Sequence, residues 1–535
     1  MTTLATSLWS AEPSHPVLDI TVGELLREAA SSHPQKQALV SIAPDREARV
    51  WTYAELVDDA ERAAAWLLQR FTRGEHIAVW APNVPEWLVL QFGAALSGLV
   101  LVTANPALRG PELDDALRRS RAVGLFSVRS FRGTPMSEVV DAILPGLPDL
   151  REAVHFDGWL GDVRRTPKVS ELPDVDPASP TQIQFTSGTT GRPKPALLRH
   201  RAMVTNAALV RDRCGAEVGG TFATALPLFH TAGSGLAVLG SVHQRATLVL
   251  AEVFDPALLL RAIDDYEVRV LGGVPLMLHA MLAHPALQSV DLSSLRVVMS
   301  GGDAVPAPLV EGWARACGAG FSAVYGQTEL SPIVAQTRPS DTSEDNLHTA
   351  GQPLEGVDVA IVDPATGAVQ PNGVEGEICA RGYQVMAGYF GMPDATAETI
   401  GADGWLHTGD LGTMDSRGYL TVTGRLKDLI IRGGENIYPR EIEIELTNHP
   451  GVAAAVVLGV PDEAWGEQVA AVLQLDPAWP RPTSADLRDR LREILSPQKT
   501  PKSWYVAADL PTNAMGKLQK FRLREQIAAG ELDVL

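Results

Sequence analysis

The feature that most constrains this chain is a repeated exchange between helical patterning and short, unbroken apolar runs. Thr21 with Glu24, and Thr52 with Glu55, have capping-box spacing, and the second pair opens a run in which Leu56, Ala60, Ala63 and Leu67 share one helical face. Between such segments lie Ile77 to Trp80, Leu99 to Thr103, Thr247 to Leu250 and Leu295 to Met299, all of strand length and mostly bounded by Pro, Gly or Asn. This alternation predicts an α/β fold of layers with largely buried sheets. At 535 residues the chain exceeds the size at which one core stops growing, so two or three cores are expected.

After about Arg425 the pattern changes to a shorter α+β unit. A helix is predicted from Pro439, strands over Ala453 to Val460 and Gln468 to Leu475, and a helix after Thr483. The glycine-rich stretch from Gly424 to Gly434 reads as a hinge, since glycine permits backbone rearrangement. The expected organisation is a large N-terminal domain over 1–424, a hinge over 425–434 and a small, mobile C-terminal lid domain over 435–535.

Charge and cysteine usage exclude several functions. Lysine and arginine total 45 against 64 acidic residues, and the net charge of −19 opposes nonspecific binding to nucleic acid or an anionic membrane surface. Three cysteines, Cys214, Cys317 and Cys379, form no CxxC pair, so neither a disulfide framework nor a thiolate metal cage is expected, and a reducing cytoplasm fits. Met1 to Asp19 lacks lysine, arginine and a sustained apolar core, which argues against a cleaved secretory signal. No apolar run approaches the roughly 20 residues of a membrane span. A homodimer is a prior from symmetry statistics only.

The most informative segment is Phe185-Thr186-Ser187-Gly188-Thr189-Thr190-Gly191-Arg192-Pro193-Lys194. Small residues let backbone amides and hydroxyls approach a polyphosphate, and Lys194 supplies charge for the β/γ phosphates. The ordinary P-loop pattern is absent. This segment resembles the phosphate loop of adenylate-forming enzymes, and further motifs resembling those of acyl-CoA synthetases follow in order across nearly all of the chain. Leu226-Pro227-Leu228-Phe229-His230 is similar to the acyl-site motif, which puts His230 near the carboxylate or the tunnel wall. Ser300-Gly301-Gly302-Asp303 resembles the adenine-side loop. In Tyr325-Gly326-Gln327-Thr328-Glu329 the resemblance implies an aromatic ring bordering adenine, a threonine on phosphate and a glutamate holding Mg²⁺, with Thr186 a second oxygen ligand.

By the same resemblance Asp410 grips the ribose hydroxyls, Arg425 contacts the nucleotide and Lys427 sits at the hinge. Gly433 and Gly434 line the pantetheine channel, and Lys517 in Pro511-Thr512-Asn513-Ala514-Met515-Gly516-Lys517 reaches the attacking carboxylate and the α-phosphate. The implied reaction uses a carboxylic acid, ATP, Mg²⁺ and coenzyme A. Carboxylate attack on the α-phosphate gives acyl-AMP, and the CoA thiolate then attacks this mixed anhydride after domain rotation. Two other readings stay open here: transfer to a carrier-protein thiol, and acyl-adenylate binding without turnover. Thr231 to Gly235 are small enough for a roomy acyl pocket or for close packing, so the acid is not named.

One residue departs from the family pattern. Pro195 stands where glycine is expected after Lys194. Proline removes an N–H and favours an extended Lys194. Loss of one charge-assisted bond costs roughly 1.5–3 kcal/mol, about ten- to a hundredfold in rate. The expectation weighed against a neutral substitution is therefore impaired adenylation, with acyl-AMP supplied by an adenylating partner enzyme.

Overall fold

The computed structural model describes residues 3–11, 17–186, 193–432, 435–512 and 518–535. Both predicted capping boxes form. Thr21 Oγ1 accepts from the Glu24 N–H at 3.1 Å while Glu24 Oε2 accepts from the Thr21 N–H at 2.7 Å, opening the helix Val22–Ser32. Thr52 and Glu55 do the same for Tyr53–Leu68.

The predicted strands appear as His76–Trp80, Val100–Ala104, Thr247–Ala251 and Val297–Gly301. Two start later than the apolar runs suggest. Gly98 (φ +70°) ends the preceding helix, and the Leu99 amide still bonds back to the Ala94 carbonyl. The Leu295 amide bonds the Leu292 carbonyl in a turn. Apolar residues at these points are buried by the turns that deliver the strands, so the patterns run on.

Among the described residues the strands form sheets of seven, nine, five and six. The seven-stranded sheet carries Lys194–Arg199, Pro180–Thr186, Val100–Ala104 and His76–Trp80 as successive neighbours, with Gly388–Tyr389 at its edge. The nine-stranded sheet carries Gly320–Gly326, Val297–Gly301, Val270–Gly273, Thr221–Thr224 and Thr247–Ala251. These central strands are mainly parallel. Val100–Ala104 and Thr247–Ala251 are buried throughout, as sheets covered on both faces require.

The five-stranded sheet, largely Val357–Val362, Gly376–Gly382, Leu406–Met414 and Leu420–Arg425, is antiparallel. A short helical turn, Leu426–Asp428, leads to the last sheet, which starts at Ile430. There the helices Pro439–Thr447 and Ser484–Ile494, the latter capped by Thr483, flank Val452–Asp462 and Gly466–Leu475. Ile430, Ile442, Val457, Val469 and Leu487 form a core of their own. No described helix is long and apolar enough to cross a membrane.

Candidate active site

Parallel strands release their chains at one end, and open α/β sheets bind ligands outside the carboxyl ends of their strands. Thr103 and Ala104, Gln184 to Thr186, Leu226, Gly273 and Val274, Ser300 to Asp303, and Gly326 all lie at or just beyond such ends, and all line one cavity of about 1060 Å³. The antiparallel sheet adds Glu377, His407 and Asp410, and Arg425 and Lys427 close its far side.

Glycine is dictated by the neighbouring backbone at two of the motif positions. A Cβ on Gly301 would stand 2.4 Å from the Val324 carbonyl oxygen, and one on Gly326 would stand 2.0 Å from that of Pro332. Gly302 has φ +82°, the left-handed region that glycine adopts without strain. Asp303 Oδ1 accepts from the Ala304 N–H at 2.7 Å, a contact that shapes its own loop.

Tyr325 donates its hydroxyl to Asp410 Oδ2 at 3.0 Å, and Arg425 Nε lies 3.3 Å from Asp410 Oδ1. Asp410 and Arg425 face each other in register on adjacent strands, which fixes the pair before any ligand arrives. Burial, followed by the Asp410 charge, pushes the Tyr325 phenol well above its ordinary pKa, so it remains a donor. Val324 and Gly326 line the cavity while the intervening Tyr325 side chain reaches Asp410.

Thr328 and Glu329 lie buried in a short helical turn, Thr328–Leu330. Glu329 Oε1 accepts from the Tyr389 hydroxyl at 2.8 Å, and Lys194 Nζ stands 4.8 Å from the centre of the Tyr389 ring. Burial and the Glu329 carboxylate raise the Tyr389 phenol, keeping it a donor too. Thr186 pairs with Lys194 at the end of the two strands. Glu329 and Thr186 thus bring oxygen atoms to one cavity, a donor set that fits a hard cation such as Mg²⁺.

His230 lines the same cavity. Its Nδ1 accepts from the Ala232 N–H at 3.2 Å. The following segment, Ala232–Leu239, is a π-helix, a widened turn that is frequent at functional sites. Gly233 allows it to pack against the Pro227 carbonyl, which a Cβ would approach to 2.2 Å.

Buried amides hold this wall from behind. Asn83 Nδ2 donates to the Leu226 carbonyl at 3.1 Å and its Oδ1 accepts from the Leu228 N–H at 2.9 Å. Gln184 Nε2 donates to the Phe229 carbonyl at 2.7 Å, and Gln182 Nε2 donates to Gln184 Oε1 and Ser234 Oγ, both at 3.1 Å. Sequence reasoning passed over Asn83, Gln184 and Tyr389, and also Arg119, whose Nη1 donates to the Pro193 carbonyl at 2.7 Å. For the glutamines a signal existed: two amides spaced by two, on either side of Ile183, share one face of a strand.

The structure brings Thr186, Lys194, His230, Gly301, Gly302, Asp303, Gly326, Thr328, Glu329, Asp410, Arg425 and Lys427 to the one cavity. Ser187, Gly188, Thr189, Thr190, Gly191, Gly433, Gly434 and Lys517 lie outside the described residues.

Pro195 takes a different position from the one its loop context suggested. It lies within the strand Lys194–Arg199, and its carbonyl accepts from the Phe390 N–H at 2.8 Å. In an antiparallel ladder a residue's N–H and C=O face the same neighbour. The N–H that proline removes would therefore face the Phe390 side of the strand. Lys194 is extended, as a residue before proline prefers. Impaired adenylation finds no support in this geometry.

A layered α/β body, with one cavity lined by charged, oxygen-bearing and apolar side chains, fits one class, an AMP/ATP-binding enzyme. The family model "AMP-binding enzyme" matches residues 26–390, and "AMP-binding enzyme C-terminal domain" matches 441–517. The chain belongs to this adenylate-forming family, and its relatives over nearly the whole length are acyl-CoA synthetases and ligases. It is 37% identical to the putative acyl-CoA synthetase YngI of Bacillus subtilis, over 95% of this chain and 97% of that protein. It is 33% identical to the mitochondrial medium-chain acyl-CoA ligase ACSF2 of Danio rerio, over 98% of this chain and 91% of that one. The crystal structure of ATP-bound MatB from Rhodopseudomonas palustris superposes with a TM-score of 0.87 at 30% identity, covering 95% of this chain and 99% of the other.

Proposed function

We propose that this chain is an acid–thiol ligase that converts an apolar monocarboxylic acid to its acyl-AMP with ATP and Mg²⁺, then passes the acyl group to coenzyme A. The observation that carries this reading is the continuity of the cavity. Asp410 and Arg425, Lys194, Thr328 and Glu329, and His230 with Leu236 and Met299 all line it. One ligand joining a ribose phosphate to an acyl group matches that combination of charged, oxygen-bearing and apolar surfaces.

In this reading the acid's carboxylate attacks the ATP α-phosphorus beside His230 and pyrophosphate leaves toward Lys194. Mg²⁺ held by Glu329 and Thr186 would neutralise phosphate charge. Lys517 completes the adenylating arrangement. Rotation of 435–535 about 425–434, with Lys427 as hinge, then exchanges it for Gly433 and Gly434 at the thiol channel. The CoA thiolate attacks the acyl carbonyl and AMP leaves. Catalysis is mainly positioning and electrostatic stabilisation.

The choice of an apolar acid follows from charge. In this reading the described basic side chains that line the cavity, Arg118, Arg119, Lys194, Arg425 and Lys427, serve the phosphates and the hinge, and Leu226, Phe229, Leu236, Val274 and Met299 serve the acyl group. A second carboxylate there would be buried without a cation, at a cost of several kcal/mol. The relative named as a medium-chain acyl-CoA ligase supports an aliphatic acid.

The test is CoA-thioester formation, followed by mass spectrometry with aliphatic, aryl and dicarboxylic acids, each given with ATP and Mg²⁺ and also as preformed acyl-AMP. Aliphatic acids should react by both routes and dicarboxylates by neither. Preference for a dicarboxylate, or consumption of acyl-AMP alone, would overturn the reading.

A further inference from the structure

A cluster of metal-ligating side chains lies beside Asp410 and has no part in the reaction above. Glu377 and Cys379 alternate along one strand and so share a face, and Cys379 stands in register opposite His407 on the next. His407 Nδ1 lies 2.8 Å from Glu377 Oε2 and 3.4 Å from Cys379 Sγ, and the three ligand atoms all fall within 4.8 Å of one another. Glu377 and Cys379 are buried while the His407 side chain is 42% exposed.

We infer that Glu377, Cys379 and His407 form a binding site for a borderline-soft divalent cation such as Zn²⁺, separate from the Mg²⁺ ligands at Glu329. One thiolate, one imidazole and one carboxylate match the three-protein-ligand sites that leave a fourth position open. Bonds of about 2.0–2.3 Å in a tetrahedron set neighbouring ligand atoms about 3.3–3.6 Å apart. The sulfur–nitrogen separation of 3.4 Å already has this value; the 2.8 Å nitrogen–oxygen separation must open, which the half-exposed His407 ring allows, and the sulfur and oxygen, within 4.8 Å, close around the ion. Glu377 Oε1 is engaged by the Gly409 N–H at 3.0 Å, so Oε2 is the oxygen presented to the cation.

Binding displaces the proton of the Cys379 thiol to solvent. A thiolate and an imidazole are soft and borderline ligands, which a hard cation such as Mg²⁺ does not prefer. The consequence for the protein is local. His407 lies three residues before Asp410, and Glu377 holds the intervening Gly409, so an occupied site ties together the two strands that present the ribose-side carboxylate.

Co²⁺ is the probe, because a cobalt–thiolate bond gives a charge-transfer absorption that oxygen and nitrogen ligands do not. Full-length protein titrated with Co²⁺ should develop this band, lose it on adding Zn²⁺, and keep it in excess Mg²⁺. Cys379→Ser should abolish the band, and Cys317→Ser should retain it. His407→Gln, at a half-exposed position that folding tolerates, should weaken Co²⁺ binding by at least the ~10–100-fold that loss of a mere supporting partner costs at metal sites. Absence of the band in the natural chain, its survival in Cys379→Ser, or unchanged affinity in His407→Gln would each overturn the assignment.

Discussion

At the side of the cavity proposed for the ribose, Asp410 is fixed through its own side chain, by the Tyr325 hydroxyl and the Arg425 guanidinium. At the side proposed for the acyl group, Phe229 is fixed through its backbone, by the amide of Gln184, while Asn83 holds Leu226 and Leu228 in the same way. The difference separates what must stay constant from what is free to vary. A side chain that is itself an anchor cannot be exchanged without loss. A wall whose backbone is pinned from behind keeps its shape whatever side chains face the acid, so selectivity can change there while the phosphate chemistry stays in place.

Glu329→Gln tests the charged end most severely. The amide keeps the volume but removes the carboxylate proposed for Mg²⁺, and the adenylation rate should fall about 10²–10³-fold, the range found when one preorganised stabilising group is lost. Thioester formation from preformed acyl-AMP should change little. This is read by pyrophosphate release for the first step and single-turnover CoA-thioester formation for the second. Equal loss in both steps would remove Glu329 from the metal and leave it as a support for Tyr389.

Asp410→Asn comes next and sharpens the contrast, because the ribose is present in both half-reactions. Charge-assisted hydrogen bonds are worth roughly 1.5–3 kcal/mol, so the KM for ATP and the apparent affinity for acyl-AMP should both weaken about ten- to a hundredfold. An effect confined to ATP would separate Asp410 from the nucleoside.

The acyl end should yield in a different currency. Ala232 lines the cavity at the start of the π-helix, so Ala232→Phe adds bulk to the pocket rather than to the core. We expect kcat/KM for longer aliphatic acids to fall about tenfold or more relative to short ones, in the range a hydrophobic pocket discriminates. The KM for ATP should stay within about twofold, well inside one decade of rate. A matching rise in the ATP KM would mean that the two ends are mechanically coupled and that the pinned wall does not isolate them.

The same contrast explains what could be read from the sequence. Helices with capping boxes, the buried parallel strands and the C-terminal α+β unit were legible because periodicity and caps are local. That Thr328, Glu329, Asp410 and Arg425 meet in one cavity was legible because each sits in a contiguous segment that resembles a family motif. Asn83, Gln184 and Tyr389 were not, since each acts on a residue between 45 and 145 positions away. The trio of Glu377, Cys379 and His407 is hidden for the same reason, its third member being supplied by strand register across 28 residues.

Pro195→Gly is expected to have the smallest effect, and it tests how far local sequence can mislead. Read as part of a phosphate loop, Pro195 removes a donor to the ligand. Read in its strand, it faces Phe390, where its carbonyl is already used and only a ladder N–H is missing. Glycine would restore that N–H while giving back backbone freedom that proline removes, worth about 0.4–1 kcal/mol in the unfolded chain. The two terms oppose each other, so stability should move by less than about 1 kcal/mol and pyrophosphate release by less than about twofold, well under one decade of rate. A tenfold gain in the adenylation step, with thioester formation unchanged, would instead mean that the stiffness of Lys194 limits the phosphate end, and that the two ends differ in tolerance less than their anchoring implies.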